Sequence, residues 1–329
     1  MPIDTMEFFE DMGVSLKVER GNRVFPLSNK ASDVTKTLEK PLIQNDVDIR
    51  LNQAVLDIIV ENDKVVGVLT ENGKIECDKV IIATGGLSYS STGSTGDGYR
   101  FSKKYGHKIV SPKPSLVGVE LVDPDFIKMQ GLSLKNVSVK VLVDNKAVYN
   151  DFGEMLFTHF GVSGPIILSS SCYLTHYNLK NAKLIIDLKP ALDEETLDDR
   201  LIREFALNKN KSLGNAIRSL VPSSMVEVII SRATLNKNKN CSEITKNERK
   251  NIIQVLKNFE FNIKKLRPIE EAIITSGGVD VSEINPKTME SKLTKGLYFC
   301  GEVIDVDAFT GGFNMQIAFS TGYLAGNNT

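Results

Sequence analysis

Apolar and polar positions change period several times along this chain, and each change marks an element. Over residues 1–13 the apolar Met6, Phe8, Phe9 and Met12 stand among acids, a helical pattern that Gly13 ends. Residues 14–25 alternate weakly and carry Lys17, Glu19, Arg20 and Arg23. Residues 28–39 read as a second helix, with Ser32 or Asp33 near its start and Val34 and Leu38 on one face. Period two then takes over: strands are predicted at 48–51, 55–60, 64–70 and 74–77, with turns at Glu61-Asn62-Asp63 and Glu71-Asn72-Gly73. Val80-Ile81-Ile82-Ala83 is instead a continuous apolar run, the mark of a strand buried in a parallel sheet, and it stops at Thr84-Gly85-Gly86. A second such run, Leu297-Tyr298-Phe299-Cys300, stops at Gly301. Beyond it, Gly311 and Gly312 precede a helix with Met315, Ala318, Phe319 and Gly322 at i, i+3, i+4, i+7 spacing.

The middle of the chain has a different texture. Residues 117–121, 136–143, 147–149 and 183–188 alternate like antiparallel strands, and the unusual stretch Leu156-Phe157-Thr158-His159-Phe160-Gly161-Val162-Ser163-Gly164-Pro165 lies among them. Residues 190–266 are polar and helix-forming, with capping signals at Asp193 and Ser242-Glu243. Residues 269–281 are strand-like again. The pattern predicts an α/β core interrupted by an insert: core over 1–111, a β-barrel or sheet followed by a helical part over 112–267, and the rest of the core over 268–329.

Size and composition narrow the classes. With 329 residues, 25% of them charged and 41% apolar, the chain has the make-up of a globular protein large enough for two domains. A net charge of -1 argues against a nucleic-acid partner. No apolar run is long enough to span a membrane, and no secretory signal opens the sequence. Cys77, Cys172, Cys241 and Cys300, like His107, His159 and His176, lack the spacing of a disulfide framework or a metal site, which fits a reducing cytoplasm.

The chemistry gathers at the two apolar runs. Each ends in glycines, which let a ligand approach the backbone because no Cβ intervenes. Glu302 and Asp305 follow the second run, where carboxylates can accept hydrogen bonds from sugar hydroxyls, and the helix after Gly312 offers free N–H groups to electron-rich ligand atoms. The same arrangement also describes an ordinary strand–loop–helix connection. Thr92-Gly93-Ser94-Thr95-Gly96-Asp97-Gly98 leads into a helix near Tyr99, with Asp97 as a cap or the glycines as a cofactor contact.

Taken in order, Glu19–Pro26 (ERGNRVFP), IIATGG, TGSTGDGYR, FTHFGVSGP, ITSGGVDVSEINPKTMESK and GLYFCGEVIDVDAFTGGFNMQIAFSTG form a specific set. The chain resembles, over essentially its whole length, a family of bacterial NAD(P)/FAD-dependent oxidoreductases that includes aminoacetone-oxidase-like proteins and bile-acid dehydro-steroid reductases. The resemblance implies a two-dinucleotide-binding FAD core with an inserted β-barrel and helical domain. It implies hydride transfer through the flavin to or from a small organic substrate, with NAD(P)H as an electron donor. It places Val55 near the adenine and Thr84, Gly85 and Gly86 near the adenosine or pyrophosphate. Gly301, Glu302 and Asp305 fall at the cofactor turn, Asp305 on the flavin's sugar chain or pyrophosphate. Gly311, Gly312, Phe313 and Asn314 fall at the flavin ring.

Two departures stand out. Ala308 occupies a position where the resemblance implies glycine. The strand–GxGxxG–helix opening of such a fold is missing from the sequence, so the chain reads as N-terminally truncated, with open strand edges and weak or absent FAD binding by itself. A non-catalytic remnant or interaction module of the same fold is the alternative to an enzyme. No catalytic residue is fixed. His159, Tyr173 and Arg20 are the proton-donor candidates, His159 because imidazole titrates near neutrality, although a histidine bonded to a neighbouring loop is the plainer reading. Cys300 reads as a small buried hydrophobe rather than an active thiol, and Arg20 and Arg23 as a solvated strand face rather than an anion site.

Overall fold

The computed structural model describes residues 1–19 and 21–329; Arg20, a proton-donor candidate above, lies outside the described residues. The chain divides into two compact units, residues 1–113 with 273–329, and residues 114–272, each with its own apolar core.

The first unit opens with α1 (Pro2–Asp11), which buries Phe9, and turns at Gly13, where φ is +91°. An antiparallel hairpin follows, β1 (Leu16–Glu19) and β2 (Arg23–Pro26), then α2 (Ala31–Gln44). The strand predicted at 48–51 does not form. Asp46 and Asn52, each with φ of +54°, bound the run, and two left-handed residues so close together stop an extended segment. Next comes an antiparallel meander, β3 (Val55–Glu61), β4 (Lys64–Thr70) and β5 (Gly73–Glu76). Its first turn is closed by Asn62 and Asp63, both at positive φ, as the twist of a tight hairpin demands. β6 (Val80–Ile82), α3 (Asp97–Lys104) and β7 (Ile109–Ser115) complete this pass.

The second unit contains a closed antiparallel barrel. Its strands are β8 (Val119–Leu121), β9 (Ser133–Val143), β10 (Lys146–Phe157), β11 (Gly161–Ser163), β12 (Ala182–Asp187) and β13 (Phe259–Leu266), in the order β10-β11-β8-β13-β12-β9. Val137, Val139, Val141 and Val143 of β9 point inward at period two. Helix α4 (Pro165–Leu174) precedes β12. A helical cluster of α5 (Glu194–Leu207), α6 (Leu213–Ile217), α7 (Ser223–Arg232) and α8 (Lys246–Lys257) precedes β13. Two expectations are corrected here. Residues 259–266 are a strand, not the end of the helical part: Phe259, Phe261 and Ile263 alternate inward, and the barrel needs this strand to close. The predicted cap at Ser242-Glu243 is a short 3-10 turn. The capping box of α8 is Thr245 with Glu248, whose N–H and side chain bond each other's ends reciprocally.

The chain returns to the first unit through β14 (Ile274–Val279), which pairs with β7, and β15 (Leu297–Phe299), which pairs in parallel with β6 so that Tyr298 stands beside Ile81. Helix α9 (Phe313–Asn328) ends the fold. Ile82, Leu297, Phe299, Val279 and Val303 form the centre of this core.

Candidate cofactor-binding site

Because β6 and β15 run in parallel, both glycine turns leave the same edge of the pair; the Cys300 N–H donates to the Ile82 carbonyl at 3.1 Å and holds the two ends together. Glu302 fastens them. Its Oε1 accepts the backbone N–H of Thr275 at 2.6 Å and the Ser88 hydroxyl at 2.9 Å. Thr275 Oγ1 in turn accepts the N–H groups of Leu87 and Ser88, at 2.8 and 3.0 Å. One carboxylate oxygen therefore ties the turn after β6, the start of β14 and the turn after β15. Packing leaves no room for a side chain at two glycines. A Cβ on Gly86 would stand 2.7 Å from Thr275 Cβ and 2.8 Å from Glu302 Oε1, and one on Gly278 only 2.5 Å from the Val303 carbonyl.

Thr84 turns its side chain inward. Its Oγ1 is buried against Gly98 of α3, where a Cβ would also meet Val303 at 2.8 Å and Ile82 at 2.9 Å, and it has no hydrogen-bond partner. The turn thus offers its backbone, at Gly85 (φ +71°) and Gly86, rather than the threonine hydroxyl. Tyr99 is the residue that sequence reasoning missed. Only 8% exposed, it keeps its hydroxyl buried without a partner; burial, and then the nearby charges of Glu302 and Asp305, push its pKa above the usual phenol range. The apolar spacing of α3 carried no sign of this, because a tyrosine on a buried face looks like any core residue.

At the other turn, Gly301 (φ +73°) donates its N–H to Thr321 Oγ1 of α9 at 2.9 Å. The Asp305 N–H donates to the Val279 carbonyl at 2.9 Å, laying residues 303–305 along β14. Gly312 caps α9 in the left-handed region, φ +92°, after Gly311 at +124°. The first backbone bond of the helix runs from Gln316 N–H to the Gly312 carbonyl, 3.0 Å, so the N–H groups of Phe313, Asn314 and Met315 make none within it. Asn314 spends its side chain on the protein: Oδ1 accepts the Ala308 N–H at 2.9 Å and Nδ2 donates to the Ala308 carbonyl at 2.8 Å. Ala308 is outside the positive-φ set, so its backbone does not require glycine. Val55 begins β3, an outer strand of the meander; Arg100 of α3 donates to the carbonyl of the next residue, Leu56, at 2.9 Å.

The other candidates are plainer. Cys300 is buried and its thiol pKa is raised by burial, as a structural cysteine requires. In the second unit, His159 is exposed between β10 and β11, its ring edge-on to Phe160 at 5.1 Å. Tyr173 packs against Tyr149 at 5.6 Å. No group of three or more His, Cys, Asp or Glu that could hold a metal occurs among the described residues, and no helix there is long and apolar enough to cross a membrane.

A nucleotide cofactor of the FAD type fits what is present: a turn after β6 with Gly85 in the left-handed region, an orphaned buried hydroxyl on Tyr99, and a helix end whose first N–H groups make no bond within the helix. The chain is 27% identical over 325 residues to the 3-dehydro-bile acid delta(4,6)-reductase of Clostridium scindens, covering 98% of this chain and 79% of that one. It is 31% identical over 278 residues to the ribosomal RNA dihydrouridine synthase of Haemophilus influenzae (84% of this chain, 66% of the relative), and 29% identical over 296 residues to that of Escherichia coli (90% and 71%). The solved E. coli quinol fumarate reductase is 17% identical with a TM-score of 0.45, over 99% of this chain and 54% of that one, so the chain spans about half the length of that structure. The model of the HI0933-like protein Rossmann domain matches residues 1–328. The chain belongs to this HI0933-like Rossmann family of FAD-binding flavoprotein oxidoreductases.

Proposed function

We propose that this chain is the FAD-holding part of an oxidoreductase whose substrate is a carbon–carbon double bond conjugated with a carbonyl. The observation that carries this reading is the Glu302 tie, which keeps the turns after β6 and β15 at one sheet edge, where a doubly wound fold takes its ligand. In this reading the backbone of Gly85, Gly86 and Gly301 would hold the adenosine and pyrophosphate, with Val55 toward the adenine. Thr84 acts by shaping its turn and Glu302 by tying both. Asp305 would accept from the sugar chain, and the N–H groups at the start of α9, after Gly311 and Gly312 and over Phe313 and Asn314, would hold the ring. When bound, FAD supplies the hydride, with NAD(P)H as the donor that reloads it. The positive end of α9 favours negative charge on the reduced ring.

The substrate class follows from the relatives' names taken together. A steroid delta(4,6)-reductase and a dihydrouridine synthase both saturate an alkene conjugated to a carbonyl. Hydride adds to the β-carbon, the alkene electron pair moves to the α-carbon, and a proton completes it there.

The test is a titration of FAD into the purified chain, followed by anaerobic oxidation of NADPH in the presence of a steroid dienone or a uridine-containing ribosomal RNA transcript. Flavin uptake with loss of either double bond supports the reading. A chain that takes up no flavin supports the alternative, a non-catalytic module of this fold. Flavin uptake with neither alkene reduced rejects the substrate class.

A further inference from the structure

The net charge of -1 hides an uneven distribution. Residues 208–250 hold nine Lys and Arg against three acids, a surplus of six, so the remainder of the chain carries -7. Within that stretch two tracts alternate asparagine with lysine, Asn208-Lys209-Asn210-Lys211 and Asn236-Lys237-Asn238-Lys239-Asn240. The fold lays them side by side. The Leu213 N–H donates to the Lys239 carbonyl at 2.8 Å and the Gly214 N–H to the Lys237 carbonyl at 2.9 Å; Cys241 donates to Lys211 at 3.1 Å and Ser242 to Lys209 at 3.3 Å. An antiparallel bridge joins Ser212 to Asn240. Leu213 and Cys241, both buried, anchor the pair from beneath.

Little of this charge is answered. Lys239 meets Glu248 at 2.6 Å, while Arg232 and Arg249 meet Asp125 and Asp198 from outside the stretch. Lys209, Lys211 and Lys237 are exposed and form no ion pair among the described residues. Lys237 lies in the field of Glu227, whose carboxylate is already held by Lys128 at 2.7 Å. The first tract continues from α5, on which Thr196, Arg200, Arg203 and Leu207 recur at one-face spacing and line a groove. Glu204, in the same groove, accepts the Ser219 hydroxyl at 2.9 Å. Lys189 is half-buried in the field of Arg200; burial, and then that guanidinium, lower its pKa. Cations have thus been gathered along α5 and across both tracts, at a repulsive cost that a bound polyanion would relieve.

We infer that this strip of the second unit, from Arg200 to Lys237, binds single-stranded RNA. The ammonium and guanidinium groups take the phosphates, and the carboxamides between them, Asn210 and Asn238, offer a donor and an acceptor to base edges and 2′-hydroxyls. A single strand presents phosphates and base edges to one surface, whereas an A-form duplex keeps its major-groove edges out of reach. The tracts carry no apolar side chain to enter a membrane surface. The strip lies wholly in the second unit and its test needs no flavin, so it stands or falls apart from the cofactor reading.

Fluorescence anisotropy of a labelled RNA of about 20 nucleotides, titrated with the flavin-free chain between about 50 and 200 mM salt, reads the affinity and its salt slope. Each neutralised phosphate of a single strand adds about 0.7 to that slope. The triple variant Lys209→Gln, Lys211→Gln, Lys237→Gln is therefore expected to make it shallower by about 2 and to weaken binding at least tenfold, with melting unchanged because all three side chains are exposed. Arginine at the same three positions is expected to keep binding. Arg200→Gln with Arg203→Gln is expected to make the slope shallower by about 1.4. Asn210→Ala with Asn238→Ala is expected to keep the slope and lower the preference for RNA over heparin. Lys135→Gln, Lys140→Gln, Lys146→Gln, on β9 and β10, changes the net charge equally and is expected to leave binding intact. Equal loss in the two lysine triples overturns the proposal, as does an RNA that does not bind at the lowest salt. Heparin or duplex DNA competing as well as unlabelled RNA, or preferential uptake by phosphatidylglycerol vesicles, overturns it in favour of a general polyanion or a membrane.

Discussion

Replacing Glu302 separates a structural tie from a cofactor ligand. In Glu302→Ala the Thr275 N–H and the Ser88 hydroxyl, on residues 1% and 3% exposed, lose a charged acceptor. Hydrogen bonds to charged groups contribute about 1.5–3 kcal/mol each, so two of them amount to about 3–6 kcal/mol. At about 2–4 °C per kcal/mol, the first unit is expected to melt roughly 10 °C lower. Glu302→Gln keeps one acceptor oxygen in place and loses only the charge, for about 1 kcal/mol. Calorimetry and circular dichroism on flavin-free protein read this directly, and an FAD titration on each variant follows. An alanine variant that melts within about 2 °C of the parent refutes the tie. If that same variant then fails to take up FAD, the carboxylate is a ligand and its bonds to Thr275 and Ser88 are incidental.

Three other substitutions probe the same region. Gly86→Ala drives a methyl into Thr275 and Glu302 and is expected to cost about 1–3 kcal/mol in urea unfolding, whereas Gly322→Ala, with nothing within 4 Å, should not destabilise. Tyr99→Phe removes a buried hydroxyl that has no partner, so it should stabilise the flavin-free chain by about 1 kcal/mol and, on the proposed reading, weaken FAD binding in the titration. His107 is buried with Nε2 at 2.9 Å from Ser291 Oγ and Nδ1 at 3.2 Å from Glu283, out of hydrogen-bond alignment. Ser291 Oγ already accepts from Leu293 and Thr294, so its proton goes to Nε2 and the ring is neutral. Burial lowers the pKa of His107, partly offset by Glu283. The unfolded chain therefore binds the proton more readily, and stability present above the unfolded histidine value is lost as pH falls below it toward the folded one. Chemical denaturation from pH 7 to 5 should show a slope that His107→Gln flattens; an unchanged slope refutes this.

The amino-acid sequence by itself determined most of the local elements and the position of both glycine turns. Val80-Ile81-Ile82 and Leu297-Tyr298-Phe299 are apolar runs whose ends are set by glycine, and that signal needs no distant partner to be read. The barrel's last strand was harder to see, because Phe259-Glu260-Phe261-Asn262-Ile263 follows a helix directly and becomes a strand by closing the barrel between β12 and β8. The failed strand at 48–51 is the converse case: its composition suits a strand, but no neighbour pairs with it. Roles within the site were decided only by tertiary structure. Glu302 and Asn314 look like ligands in the sequence, yet each spends side-chain bonds on backbone that folding brings near. Tyr99, an ordinary core tyrosine by its spacing, becomes a buried hydroxyl without a hydrogen-bond partner. Period and turn chemistry are local properties and survive in one dimension; which polar atom satisfies which depends on contacts between residues more than two hundred positions apart, and no local pattern encodes them.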